Sequence, residues 1–165
     1  MNVEIVHMTE DHWPAVQEIY RAGIASGNAT FETEVPEWEQ WNAKHLQFAR
    51  IVILVDGEVK GWAALSPVST RRVYRGVAEN SVYVAPDAQG LGLGRLLLNR
   101  LINESEINGV WTLQNSIFPE NVASLNLHRS FGFREVGRRE RIAQLDGVWR
   151  DTIFMERRST VAGTD

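Results

Sequence analysis

Apolar residues recur at two periods along the chain, and the changes of period mark its elements. Val3, Ile5 and Val6 predict a first strand. Thr9 followed by Glu10 and Asp11 then reads as a helix N-cap with acidic residues at the positive end of the helix dipole. Trp13, Val16, Ile19, Tyr20 and Ile24 follow at helical spacing. A second helix is predicted from near Pro36, because Trp38, Trp41, His45 and Phe48 recur every three or four residues; its aromatic stripe is read as core.

Strand-like runs take over from there. Ile51 to Val55 and Val59 to Leu65 are joined through Asp56-Gly57, a pair that tolerates the positive dihedrals of a tight hairpin. Ser66-Pro67 ends the second run, an arginine-rich loop follows, and Glu79 to Val84 predicts a short strand stopped by Pro86. Beyond a glycine-rich turn, Leu96, Leu97, Leu101 and Ile102 mark an amphipathic helix. Val110 to Phe118 then reads as a strand, and Val122 to Phe131 as a helix closed by Gly132. Phe133 to Ile142 and Val148 to Met155 make a last pair of strands turning at Asp146-Gly147. The order predicts one α+β, or mixed α/β, domain over residues 1–158 with helices on both faces of its sheet. The tail at 159–165 is expected to fray.

Composition narrows the chemistry. Seventeen Lys and Arg against 21 Asp and Glu give a net charge of −4, so no general positive field exists to follow nucleic acid or acidic lipid. Nucleic acid is therefore not an expected partner. With no cysteine, a disulfide framework, a thiolate zinc site and a cysteine acyl-enzyme are all excluded. No run approaches the roughly 18 to 20 apolar residues that span a bilayer. Met1 to Met8 carries Glu4 and lacks the basic region of a secretory leader. No membrane partner is expected, and the protein is expected in the cytoplasm.

The stretch from Val82, Tyr83 and Val84 through Gln89, Gly90, Leu91, Gly92, Leu93, Gly94 and Arg95 reads as strand, glycine turn and helix start. Glycines at alternate positions let backbone approach a ligand closely. The first-turn amides of the following helix lack intrahelical acceptors and sit at its positive end, so they suit a pyrophosphate without a metal or a dedicated lysine. Rival nucleotide motifs fail on spacing. A dinucleotide fingerprint needs a glycine where Arg95 stands, and a Walker A loop needs Gly-Lys-Ser/Thr. By itself such a turn is equally compatible with a tight connection that binds nothing.

Gln89-x-x-Gly92-x-Gly94 after a strand resembles the acetyl-coenzyme A pyrophosphate loop of the GNAT N-acetyltransferase superfamily. Downstream, Asn121-x-x-Ser124-x-x-Leu127-His128-x-x-x-Gly132-Phe133 is similar to the superfamily's second signature, on the helix flanking the coenzyme. From about Ile5 to Met155 the chain is similar to the phosphinothricin and methionine sulfoximine acetyltransferase group. Its markers are Thr30-Phe31-Glu32, Arg71-x-x-Tyr74, Glu79-x-Ser81-Val82-Tyr83-Val84, Leu127-His128 and Gly147-x-Trp149-x-Asp151. Val77, where the group often carries threonine, and the density of arginine around Tyr74 are departures.

The resemblance implies a GNAT-like, mostly antiparallel sheet and acetyl-CoA as co-substrate, with no metal. It implies direct attack of a small α-amine, borne by an amino-acid analogue with a carboxylate, on the thioester. Glu79 is the implied base, and burial beside a core strand is expected to raise its pKa. His128 is assigned general acid or base work without a direction, since imidazole titrates at about 6.5. The amides of Leu91 to Arg95 are implied to hold the pyrophosphate, the backbone around Val82 and Val84 to pair with the pantetheine arm, and Asn121 and Ser124 to flank the coenzyme. Arg71 with Tyr74, or Arg75, would clamp the carboxylate by paired hydrogen bonds. Phe31 and Glu32 are placed at the pocket mouth, and Trp149 in the pocket or a subunit contact. A homodimer is implied by the group.

Two rivals keep the coenzyme. One changes the acceptor to a polyamine, an aminoglycoside or a protein N-terminus, and the arginines before Glu79 oppose a polycation. The other is a CoA-binding module without turnover, against which the intact Glu79 and His128 weigh.

Overall fold

A computed structural model describes residues 1–165 and contains every predicted element. The strands are β1 (Val3–His7), β2 (Ile51–Val55), β3 (Glu58–Pro67), β4 (Val77–Val84), β5 (Thr112–Ile117), β6 (Arg134–Leu145) and β7 (Val148–Arg158). The helices are α1 (Trp13–Ala25), α2 (Trp38–Lys44), α3 (Leu93–Ile107) and α4 (Val122–Ser130). One sheet takes the order β1-β2-β3-β4-β5-β7-β6. Every neighbouring pair is antiparallel except β4 and β5. This is the α+β architecture expected, and the predicted hairpin turns are in place. Asp56 and Gly57 both hold positive φ, at 50° and 85°, the requirement of a two-residue turn whose twist matches its strands.

Helices cover both faces because β3 is apolar on both. Trp62 stacks on Tyr83 at 4.8 Å and packs against Tyr20 of α1 and the edge of Trp41 of α2. Its neighbour Gly61 faces the opposite way, where an added Cβ would lie 2.9 Å from Leu97 of α3. The core joins Leu93, Leu97, Leu98 and Leu101 of α3 to Ile53, Ala63 and Leu65 of the sheet.

Two expectations change in detail. Helix α2 ends at Lys44, and His45 is extended, so His45 and Phe48 do not continue its face. The imidazole still stacks on Trp41 at 4.0 Å and contacts the Trp41 carbonyl at 2.7 Å, which preserves the aromatic cluster by a local turn instead of helical spacing. The tail expected to fray is tied down as far as Gly163. Ser159 Oγ donates to Glu106 and accepts from the amides of Val161 and Ala162, while the Arg158 guanidinium donates to the carbonyls of Ser159, Ala162 and Gly163. The small polar tail shows no periodicity, but its hydroxyl and carbonyl groups find partners that sequence spacing does not reveal. No helix is long and apolar enough to cross a membrane.

Gly61→Ala is expected to destabilise the fold by about 1–3 kcal/mol through overpacking between β3 and α3, read as a lower urea midpoint. An unchanged midpoint would mean that α3 yields freely.

Candidate active site

Strands β4 and β5 pair only from Val77, Ala78 and Glu79 to Thr112, Leu113 and Gln114. Beyond Glu79 the two strands part, although β4 stays paired with β3 as far as Val84. The parting leaves the inner edge of β4, including Val82 and Val84, without a neighbouring strand, so its backbone groups remain available to a ligand. A cleft of about 1170 Å³ occupies this space. Across its mouth lies the glycine turn, where Gly90 and Gly92 hold φ of 82° and 78° and Gly92 caps α3. Such dihedrals favour glycine. The amides of Leu91, Gly92, Leu93, Gly94 and Arg95 donate to no backbone carbonyl and no side chain. They form a positively polarised row at a helix N-terminus, with the character of an anion cradle.

Glu79 stands where the fork opens, and alternation puts Glu79, Ser81 and Tyr83 on the α1 face. The side chain of Glu79 is exposed to the cleft and not buried against the strand as expected. The surrounding walls nonetheless desolvate its carboxyl and push its pKa above the ordinary carboxylate range. Phe31 and Glu32 line the same side, with Phe31 edge-on to Phe118 at 4.8 Å. Burial, followed by the negative field of Glu32, pushes the Tyr20 phenol up to about 12. Burial raises Tyr83 as well, with Tyr20, Glu32 and Glu79 adding to it. Both phenols are therefore neutral hydrogen-bonding groups at physiological pH.

On the opposite face, His128 is 2% exposed and lies edge-on against Phe133 at 4.9 Å. Its Nδ1 is 2.7 Å from the Ser124 carbonyl, which assigns the proton to that nitrogen. Nε2 then accepts from Asn80 Nδ2 at 3.0 Å. Asn115 Nδ2 donates to the Asn80 carbonyl at 3.0 Å, bracing the point where the strands part. Asn121 Oδ1 caps α4 by accepting from the Ser124 amide at 3.2 Å.

The Acetyltransferase (GNAT) family model matches residues 10–133. The chain belongs to the GNAT acetyltransferase family. It is 36% identical over 155 residues to phosphinothricin N-acetyltransferase of Alcaligenes faecalis, covering 90% of this chain and 78% of that one. It is 32% identical over 149 residues to an L-methionine sulfoximine/L-methionine sulfone acetyltransferase of Pseudomonas paraeruginosa, covering 87% of each. The crystal structure of a GNAT superfamily phosphinothricin acetyltransferase from Sinorhizobium meliloti, in complex with AcCoA, superimposes with a TM-score of 0.88. That pair is 27% identical, with 100% of this chain and 92% of the other covered.

This GNAT acetyltransferase brings most of its sequence-predicted site residues into one cleft. Glu79, His128, Val82, Tyr83, Val84, Gln89, Gly90, Gly92, Leu93, Gly94, Arg95, Asn121, Ser124, Phe31 and Glu32 all line it. Leu91 does not; its side chain is 47% exposed. Arg71, Tyr74, Arg75 and Trp149 also lie outside the lining. Arg71 precedes an exposed 3-10 turn, Arg72–Tyr74, and lies over the ring of its last residue, Tyr74, at 5.4 Å, while Arg75 lies over Trp111 at 5.2 Å. Trp149, on β7, stacks with Arg141 at 5.4 Å and is half exposed. Each of these guanidinium groups lies over an aromatic ring outside the cleft.

Sequence reasoning missed Asn80 and Asn115. Asn80 is a polar residue among Ala78, Val82 and Val84 on an otherwise apolar strand face, and that interruption was its available signal. Burial disfavours the imidazolium form of His128 and lowers its pKa, outweighing the opposite pull of the Ser124 carbonyl. The proton NMR titration of His128, assigned with His128→Gln, is therefore expected to have its midpoint below 6.5. A midpoint at or above that value would contradict the buried, neutral ring.

Proposed function

We propose that this acetyltransferase moves the acetyl group of acetyl-CoA to the α-amine of a small amino-acid analogue of the phosphinothricin or methionine sulfoximine type. The observation carrying this reading is the unpaired edge of β4 running from the row of free amides to Glu79. A long, thin ligand with an anionic middle fits that path, and the named relatives support both coenzyme and acceptor class. The amides of Leu91 to Arg95 would hold the pyrophosphate, the edge at Val82 and Val84 the pantetheine arm, and Asn121 and Ser124 would flank it. These residues fit the coenzyme, whose thioester supplies an activated acetyl carbon.

The chain's own groups then account for the proton. Glu79 is assigned as general base, taking the amine proton directly or through one water as nitrogen bonds to the acetyl carbon and the carbon–sulfur bond breaks. The departing thiolate takes a proton from water, and Glu79 returns the amine proton to solvent. With no cysteine in the chain, transfer proceeds within a ternary complex. For His128 we assign positioning in place of direct acid or base work. Both ring nitrogens are engaged, and moving a proton through Nε2 would break its bond with Asn80.

The acceptor's carboxylate needs a cation, and Arg71 and Arg75 are the candidates, each lying over an aromatic ring, Tyr74 and Trp111 respectively. The exposed Val136, Ile142, Val148 and Trp149 of the β6–β7 arm support a homodimer through this arm. Detoxification of such analogues in the cytoplasm is the role assigned.

Glu79→Gln is expected to lower kcat by about 100-fold or more while calorimetry finds acetyl-CoA binding unchanged. Because its pKa is raised, Glu79 becomes protonated, and activity falls, as pH drops through a midpoint above the ordinary 4.5. That limb of the kcat/KM profile should be lost in the variant. Wild-type turnover by Glu79→Gln would remove it from the mechanism.

A further inference from the structure

Pairing between β4 and β5 ends at Glu79 and Gln114, so Asn80 and Asn115 are the first residues of the opening. The Asn80 carbonyl meets no β5 backbone there, and the Asn115 side chain takes its place. Asn115 Nδ2 donates to that carbonyl at 3.0 Å and lies 3.4 Å from Nε2 of His128. Both neighbours are acceptors, because the His128 proton sits on Nδ1, against the Ser124 carbonyl. Turning the amide over would set Oδ1 against two lone pairs, so this network fixes which end of Asn115 is anchored.

Oδ1 is the free end. It accepts no hydrogen bond from the chain. Asn80 Oδ1 also lacks a partner, but it is sealed from the cleft in a residue 1% exposed. Asn115 is only half-buried, lines the cleft, and keeps its Oδ1 open. The opening of the sheet therefore presents a rigidly held acceptor that belongs to a side chain and not to the strand edge.

Position says which ligand group it suits. Asn115 lies on the face of His128, which also carries Ser124, and away from the face of Glu79 and Tyr83. A pantetheine arm carries two amide N–H donors, and one of them lies only two carbons from the sulfur. A thioester placed beside Glu79, where the sheet opens, brings that amide to the start of the opening. An arm filling the cleft would strip water from Oδ1, and an acceptor desolvated without a donor is costly.

We infer that Asn115 is a coenzyme-binding residue whose Oδ1 accepts a hydrogen bond from the pantetheine amide N–H nearest the sulfur. This rests on the reading that the cleft holds acetyl-CoA along β4, and it adds a side-chain contact that sets the thioester at the fork.

The test is calorimetric, on the full chain, with acetyl-CoA and with ADP, which carries a diphosphate but no pantetheine arm. Asn115→Ala is expected to weaken acetyl-CoA binding about tenfold and to leave ADP binding unchanged. A second probe leaves the protein intact: an acetyl-CoA analogue with an ester oxygen in place of the amide N–H nearest the sulfur. It should bind the wild type about tenfold more weakly than acetyl-CoA, and bind Asn115→Ala no more weakly than acetyl-CoA does. An unchanged affinity in either comparison, or a loss by Asn115→Ala that ADP shares, overturns the inference; Asn115 is then a brace for Asn80, and the proposed function stands. A wild-type protein that does not bind acetyl-CoA overturns the functional reading, and this inference with it.

Discussion

The parting of β4 from β5 after three paired residues is the constraint on which the site depends. Backbone groups left without partners inside a fold are costly, and a strand edge facing a neighbouring strand would ordinarily be closed. Here β4 is secured from its other side by an unbroken register with β3 that reaches Val84. Asn115 ties itself to the Asn80 carbonyl at the start of the divergence, and Asn80 leans on His128. The sheet is braced at the point where it opens.

From that opening the two faces acquire different electrical characters. Free amides at the start of α3, together with Arg95, make one end of the cleft attractive to an anion. The α1 face instead carries Glu32, Glu79 with its raised carboxyl pKa, and two phenols that stay neutral, so its fixed charge is negative. On the proposed reading, coenzyme and acceptor would enter from different ends of one groove and meet at the fork beside Glu79.

Rigid packing supports this division. Trp38 stacks on Trp41, Trp41 meets Trp62 edge-on, and Trp62 stacks on Tyr83, so a continuous aromatic run leads to Tyr83 in the cleft lining. Aromatic contacts of this kind add to simple burial and limit ring motion. Arg50, buried to 3% exposure, lies over Trp41 at 5.1 Å and donates to the carbonyls of Leu46 and His45. The second helix is short, and this cluster holds it in place.

Periodicity and turn chemistry alone determined the element order, both Asp-Gly hairpins and the glycine turn, because those features depend on neighbours within a few residues. The family signatures marked Glu79, Asn121, Ser124 and His128 for the same reason: each motif is a local run on one element. Other properties arise from contacts between residues far apart in the chain. Tertiary structure exposed Glu79 to the cleft, enclosed His128 between Ser124 and Asn80, and left Arg71 on Tyr74 outside it. It also pinned the tail through Ser159 and joined Arg150 to Gly27. Burial and hydrogen-bond satisfaction are properties of that assembled packing, so no local pattern encodes whether a given histidine or arginine is free to act.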